Sequence, residues 1–314
     1  MDFLNGCVIA CARMTSELSE EAKIALAVDV GGTKLAAALV AENGRVLARQ
    51  QVPTNHAVSA DALFQSVLEL TQSVIDSESN FDVCGVGCGG PMRQGGMSVS
   101  PLNIPAWRDF FLRAALQESL QIPVAIDNDA KALALGEAWF GAGRRFSNFM
   151  AMVVSTGVGG GLFVDGKLLD GNDGNAGHIG HVVVEPAGAK CGCGARGCLE
   201  AEASGLAIER RIGKAPAKAD SVEKHRAGVM VGRAVASAVN LLDLEHVLVG
   251  GSVALGYGEV FLDAANREMA ALCKLEYSRG VKISLVGLGE DAPLVGAAAV
   301  GFKSLGIDPR AKWT

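Results

Sequence analysis

The sequence NDGNAGHIGHVVVEPAGAKCGCGARGCLE, residues 172–200, combines two histidines with three closely spaced cysteines. Cys191, Cys193 and Cys198 are separated by one and then four residues, and the glycines between them allow tight turns. Three thiolates and one imidazole form a ligand set that Zn²⁺ takes in closed tetrahedral sites. Since the binding energy of such a site is folding energy, the stretch predicts a zinc knuckle that orders a loop and performs no chemistry. The alternative is three buried free cysteines, which are common in protein cores.

Length and composition limit the classes of protein to which the chain can belong. A chain of 314 residues is long enough for two domains. The formal net charge of −6 argues against a broad nucleic-acid surface, and no apolar run is long enough to span a membrane. Eight dispersed cysteines favour a reduced, cytoplasmic protein over a disulfide scaffold. Residues 1–23 are predicted to be a disordered extension, unless the true start is Met14.

A glycine turn between two apolar runs stands near the start of the chain. The runs cover residues 24–28 and 35–40, and they predict a β-hairpin. Backbone N–H groups of a glycine turn can approach a phosphate closely, threonine and lysine add donors, and an aspartate can hold a magnesium-bound water. The turn is not a Walker loop. A plain hairpin is the alternative to a phosphate site built from Asp29, Gly31, Gly32, Thr33 and Lys34.

The same pattern recurs in the second half of the chain. Apolar residues 149–154 lead to the glycine-rich sequence STGVGGG, and a further strand is predicted over residues 162–164. Two copies of strand, glycine turn and strand predict a duplicated architecture with nucleotide between the halves. Thr156 and Gly157 then lie on the second side of the phosphates.

Three polar residues follow the strand predicted over residues 124–126. Asp127 or Asn128 could cap the helix predicted over residues 130–140. Capping accounts for one polar residue better than for three in a row. A carboxylate at this strand-to-helix junction is also placed to meet a ligand in the crevice at the carboxyl end of the strand.

The remaining elements alternate between helices and strands. Charged residues 214–226 are predicted to be a solvated link or a helix turn. We predict further helices over residues 60–77, 206–212, 227–242 and 292–305, and further strands over residues 83–88, 246–249 and 282–286.

The run GHIGH at residues 177–181, followed by CGCGARGCLE, resembles the zinc signature of the ROK sugar kinases. The resemblance implies an α/β protein with the actin-like ATPase (ribonuclease H-like) fold, in which two duplicated α/β domains surround a cleft. It implies a small domain over residues 24–126, to which helix 292–305 returns, and a large domain with the zinc knuckle over residues 127–291. The family is commonly dimeric, so a homodimer is expected.

The resemblance also implies roles for individual residues. ATP, Mg²⁺ and a structural Zn²⁺ are the expected cofactors, and Asp129 is the general base. From the residues alone, Asn103 could be an ordinary turn asparagine, and Gly250 and Gly251 could form a simple strand-to-helix turn. The resemblance instead places Asn103 against the sugar and the two glycines under the adenosine. It further implies sugar contacts from Asn128, His178, His181 and Glu200, and zinc ligation by His181, Cys191, Cys193 and Cys198.

One position departs from the usual pattern of ROK glucokinases. They carry glutamate in the motif GE-x-GH, where this chain has His178, and GHIGH is similar to the motif of bacterial N-acetylmannosamine kinases. A neutral imidazole can donate a hydrogen bond to an acetamido carbonyl, whereas a carboxylate only accepts. The expected function is therefore ATP-dependent phosphorylation of N-acetylmannosamine at the C6 hydroxyl, in the catabolism of sialic acid and amino sugars. Alternatives are a glucokinase or other ROK hexose kinase, a sugar-sensing ROK repressor, and a catalytically dead interaction protein.

Overall fold

The computed structural model of the chain describes residues 22–75 and 80–312. This range contains two five-stranded sheets and eight α-helices. The extension predicted for residues 1–23, with its alternative start at Met14, lies outside the described residues except for Ala22 and Lys23. None of the described helices combines the length and apolar character that a membrane crossing requires.

The first sheet contains β1 to β5 in the order β3-β2-β1-β4-β5. The strands β1 and β2 form the predicted antiparallel hairpin, while β4 and β5 add in parallel. Their bounds are β1 Ile24–Val30, β2 Lys34–Ala41, β3 Val46–Pro53, β4 Val83–Cys88 and β5 Val124–Asn128.

The second sheet contains β6 to β10 in the order β10-β9-β6-β7-β8. If β6 to β10 are renumbered one to five, the strands of this sheet have the same order as those of the first sheet. The strands β6 and β7 again form an antiparallel hairpin around a glycine turn. The duplicated architecture predicted from the two glycine turns is therefore confirmed. The bounds are β6 Phe149–Val154, β7 Val158–Val164, β8 Lys167–Leu168, β9 His246–Gly250 and β10 Ile283–Leu285.

The helices cover both faces of each sheet. Their bounds are α1 Ala60–Val74, α2 Leu112–Leu120, α3 Asp129–Phe140, α4 Leu199–Ala203, α5 Gly205–Ile212, α6 Ser221–Leu242, α7 Ser252–Leu272 and α8 Ala292–Ser304. Successive side chains of a strand point to opposite faces, so β1 presents Leu26 and Val28 to the core under α1 and α2, and the small Ala25 and Ala27 to the core that contains α8.

Helices α3 and α8 pack together between the two sheets, because glycines allow their backbones to touch. A Cβ on Gly136 of α3 would lie 2.9 Å from the Cα of Gly296 in α8. A Cβ on Gly85 of β4 would overlap the carbonyl oxygen of Ala297 and lie 2.7 Å from the nitrogen of Gly301. Helix α8 therefore lies directly on the first sheet. The domain division after residue 126 stays a prediction; that point falls within β5, two residues before the strand ends.

The structure differs from the sequence-based expectations at several elements. Helix α6 begins at Ser221, because Asp220 caps it and the charged residues 221–226 form its first turns, so a helix start at residue 227 is wrong. Helix α7 was not predicted, since Gly256 and Gly258 interrupt its apolar pattern and Gly258 is non-helical (φ 57°). Strands β3 and β8 and helix α2 were also missed.

Candidate active site

A cleft of about 880 Å³ opens where the strands of both sheets end. In proteins with parallel strands, ligands bind at such carboxyl ends. All the residues predicted to contact nucleotide or sugar line this cleft: Asp29, Gly31, Gly32, Thr33, Lys34, Asn103, Asn128, Asp129, Thr156, Gly157, His178, His181, Glu200, Gly250 and Gly251.

The two glycine turns face each other across the cleft. The Oγ1 atoms of Thr33 and Thr156 are 2.5 Å apart, although 123 residues separate them in the chain. The Thr54 hydroxyl donates to the carbonyl oxygen of Gly31 at 2.7 Å and holds the first turn. In the second turn, a Cβ on Gly157 would lie 2.8 Å from Glu200 Oε2 and 3.2 Å from Asn103 Nδ2. The glycines of both turns therefore bring backbone, with no side chain of their own, to the cleft.

The start of helix α3 places a carboxylate in the cleft. Asn128 is the N-cap: its Oδ1 accepts from the N–H groups of Ala130 at 3.0 Å and Lys131 at 3.4 Å. The oxygen is used by the cap, so the Nδ2 group of Asn128 is the part directed toward Gly90. Asp129 is the first residue of the helix, and its Oδ1 accepts from Ala130 N at 2.8 Å. One polar residue therefore caps the helix while the next faces the cleft.

Burial and mutual repulsion perturb the carboxylates of the cleft. Burial, and then the nearby charge of Asp129, raise the pKa of Asp29 to about 7, against the opposing effect of Lys34. Burial also raises the pKa of Asp129; backbone N–H groups lower it, and Glu200 raises it further. A site that concentrates negative charge in this way favours a cation between the carboxylates, and oxygen ligands suit Mg²⁺.

His178 lines the cleft near the start of α3. Its ring approaches Gly90, where a Cβ would lie 3.3 Å from His178 Cε1 and 3.3 Å from Asn128 Nδ2. Burial and the neighbouring His181 lower the pKa of His178, although Glu200 opposes them, so the neutral imidazole is favoured. Glu200 accepts a hydrogen bond from Val158 N at 3.0 Å through Oε2. These side chains form a polar wall beside Asp129.

The knuckle residues lie behind this wall. One ligand atom from each of His181, Cys191, Cys193 and Cys198 lies within 4.8 Å of the others. Cys193 Sγ and Cys198 Sγ are 3.7 Å apart, as are Cys191 Sγ and His181 Nδ1. Tetrahedral Zn²⁺ with bonds of about 2.3 Å to sulfur and 2.0 Å to nitrogen requires edges of about 3.5 to 3.8 Å. The donor set and its spacing therefore fit zinc.

The junction of β9 and α7 also lines the cleft. Gly251 has φ +92°, and a Cβ there would lie 2.5 Å from the carbonyl oxygen of Val154, so the position requires glycine. Ser252 begins α7, and its hydroxyl is 3.0 Å from that of Ser155. The turn is thus a strand-to-helix turn, as the simpler interpretation had it, and it also lines the cleft. A helix N-terminus at this point favours negative charge.

Three residues near the cleft were missed by sequence reasoning. Gly90 contacts Asn128 and His178, and its signal was the glycine pair ending the strand over residues 83–88. Arg49 lines the cleft from β3, a strand that was not predicted, and pairs with Asp291 at 2.6 Å. Lys131 is buried beside the site, and its spacing of four residues from Asp127 was a usable signal.

The ROK family model matches residues 25–303 of the chain. The chain belongs to the ROK family. This ROK protein is 32% identical to the glucokinase of Thermotoga maritima over 314 residues, covering 90% of this chain and 98% of that one. It is 34% identical to an N-acetylmannosamine kinase of Haemophilus influenzae over 293 residues, covering 87% and 93%.

Solved structures agree with the sequence relatives. A ROK family glucokinase from Streptomyces griseus, determined with glucose and AMPPNP, matches with a TM-score of 0.79 at 28% identity, covering 89% of this chain and 99% of that one. The ROK protein therefore has the actin-like ATPase fold with two α/β domains, as predicted. Since relatives named for two different sugars match at similar identity, family membership alone does not identify the substrate.

Proposed function

We propose that this ROK protein is an ATP-dependent sugar kinase that phosphorylates N-acetylmannosamine at its C6 hydroxyl. The observation that carries the kinase proposal is the position of Asp129: its carboxylate lies in a cleft whose walls include two opposed glycine turns. Transfer of a γ-phosphoryl group requires alignment and charge neutralisation more than covalent chemistry from the protein. The cleft offers groups for both tasks.

Each group has a place in the reaction. The N–H groups of the turns at Gly32 and Gly157 bind phosphate oxygens from opposite sides. Asp29 holds water molecules of a bound Mg²⁺, which would neutralise developing charge on the phosphates. The carboxylate of Asp129 accepts the proton of the sugar hydroxyl as the oxygen attacks. Burial raises the pKa of Asp129, and a carboxylate with a higher pKa is a stronger proton acceptor.

The knuckle holds the sugar side of the cleft in this proposal. One Zn²⁺ would be bound by His181, Cys191, Cys193 and Cys198. Its four coordination bonds would cross-link residues 181–198. His181 both ligates the metal and lines the cleft, so the metal fixes the wall from behind.

His178 supports the choice of an N-acylated sugar. The side chain is held among Gly90, Asn128 and Glu200, where its lowered pKa favours the neutral ring. A neutral ring carries one N–H donor, which can bond to an acetamido carbonyl. Glucose offers no such carbonyl. The identity to N-acetylmannosamine kinases agrees with this choice, and the similar identity to a glucokinase makes glucose the second candidate.

A coupled ADP-release assay tests the proposal with N-acetylmannosamine, N-acetylglucosamine, mannose and glucose as acceptors. N-acetylmannosamine should give the highest kcat/KM. His178→Glu should lower the kcat/KM for N-acetylmannosamine by about tenfold, the effect of one lost polar contact, and should raise the kcat/KM for glucose. His225→Glu, an exposed substitution on α6, is the matched control and should change neither. A higher kcat/KM for glucose in the wild type would make the protein a glucokinase, and no sugar-dependent turnover would remove the kinase proposal.

A further inference from the structure

Lys131 is a buried cation on the catalytic helix. Its side chain is only 2% exposed, in the first turn of α3. The ammonium group has three acceptors: Asp127 Oδ1 at 2.8 Å, Asp170 Oδ1 at 2.7 Å and the carbonyl oxygen of Gly174 at 3.2 Å. An ammonium group has three N–H donors, so all of them are used. Burial lowers the pKa of Lys131, but the two carboxylates outweigh it and raise the pKa, which keeps the side chain charged.

Two of these three acceptors belong to a distant loop. Asp127 is on the strand before α3, and its pair with Lys131 is local. Asp170 and Gly174, in contrast, lie in residues 169–178, the segment that follows β8 and ends at His178. An isolated buried ammonium is costly, and a local pair with one carboxylate would satisfy only one donor. The geometry thus joins the helix that carries Asp129 to the segment that carries His178.

The same segment is held from its other side by the first half of the chain. Asn175 Oδ1 accepts from Met92 N at 3.3 Å, and Asn175 Nδ2 donates to Met92 O at 3.1 Å. Met92 follows Gly90, against which the His178 ring lies. The segment over residues 169–178 is therefore fixed at Asp170 and Gly174 by the helix that carries Asp129, and at Asn175 by the backbone of Met92 in the segment after β4.

We propose that Lys131 is a positioning residue: through Asp170 and Gly174 it holds residues 170–178 so that His178 faces the sugar beside Asp129. The inference rests on the proposed sugar kinase function but not on which sugar is the substrate. If Lys131 served only to neutralise Asp127, its link to Asp170 would have no effect on sugar binding. The two cases differ at Asp170, which is 58% exposed and can be changed without opening the core.

Asp170→Ala is the test variant, since alanine removes the side-chain acceptor for Lys131. Asp173→Ala in the same segment is the matched control, because the hydrogen bonds of Asp173 among the described residues go to its near neighbours Asn172 and Asn175. With the sugar that the wild type phosphorylates best, Asp170→Ala should raise the sugar KM by about tenfold, because a displaced positioning group weakens binding steeply. The KM for ATP and the melting temperature should stay near the wild-type values. Calorimetric titration of sugar without nucleotide should show the same loss of affinity. Asp170→Glu, which keeps an acceptor for Lys131, should recover most of it.

A double-mutant cycle separates positioning from local stability. Lys131→Met leaves Asp127 unpaired and should lower the melting temperature as well as sugar affinity. Adding Asp170→Ala to Lys131→Met should weaken sugar binding no further, because both changes break the same link. Additive effects, equal sugar KM values for the Asp170 and Asp173 variants, or an equal rise in both substrates' KM would each overturn the inference. If the wild type phosphorylated no sugar at all, the proposed function would fail first, and this inference with it.

Discussion

Replacing Asp129 by asparagine removes the proposed base with a minimal change in shape. The carboxylate Oδ1 accepts from Ala130 N at 2.8 Å, and an amide oxygen can keep that bond, so the start of α3 should persist. General-base catalysis contributes about 10² to 10⁴ in rate. The expected fall in kcat is about 10³-fold, or about 4 kcal/mol of transition-state stabilisation, with little change in the KM for sugar.

The same substitution has a second consequence that does not depend on turnover. The charge of Asp129 helps to raise the pKa of Asp29 to about 7, so its removal should move that pKa back toward the ordinary 3.8. Ionisation of Asp29 then destabilises the folded chain less. At about pH 8, the ligand-free variant should therefore unfold at a higher temperature than the wild type.

Discontinuous assays of sugar phosphate formation measure the change in kcat, and thermal unfolding measures the change in melting temperature. Asp165→Asn is the matched control: Asp165 is exposed and has φ 51°, a conformation that asparagine tolerates, and this variant should behave as the wild type. An Asp129→Asn enzyme with wild-type kcat would refute the assignment of the base. A large loss of kcat accompanied by an equal loss of folded protein would show that the side chain acts through stability instead.

Three further predictions concern stability. The pKa of Asp29 is raised from 3.8 to about 7, so the folded chain favours the neutral carboxyl. This preference adds up to about 4 kcal/mol to the free energy of unfolding. The contribution is fully present below about pH 4 and is lost as the pH rises through about 7. Denaturant unfolding of the ligand-free protein should show that the free energy of unfolding falls between about pH 4 and pH 7, and Asp29→Asn should reduce this pH dependence. A wild type whose free energy of unfolding rises over the same pH range contradicts the prediction. A chelator can reach the knuckle because Cys193 is exposed, and it should release one zinc per chain. The melting temperature should then fall markedly, since structural zinc sites contribute on the order of 10 kcal/mol to folding. Protein that is purified in the presence of zinc and contains none by elemental analysis would disprove the site. Gly85→Ala should cost about 3 kcal/mol of unfolding free energy by overpacking β4 against α8, whereas Gly256→Ala, whose Cβ meets open space, should not; equal stabilities would contradict the contact.

Local patterns predicted the elements whose causes are local. Glycine turns between apolar runs identified both hairpins, because a turn is set by the few residues that form it. The spacing of Cys191, Cys193 and Cys198 likewise indicated the knuckle. Where glycines fall inside a helix, as at Gly256 and Gly258 of α7, the local pattern fails, because burial against neighbouring elements outweighs intrinsic propensity.

The sequence by itself determined the fold class, the two glycine turns, the metal-type knuckle and part of the set of residues that line the cleft. Only the tertiary structure decided how these parts meet: Thr33 against Thr156, Asn128 as the cap beside Asp129, and Lys131 bound to Asp170. The physical reason is that each of those contacts, except the cap, joins residues far apart in the chain. Their distances depend on how closely α3 and α8 pack between the sheets, which glycine backbones allow and no local pattern encodes.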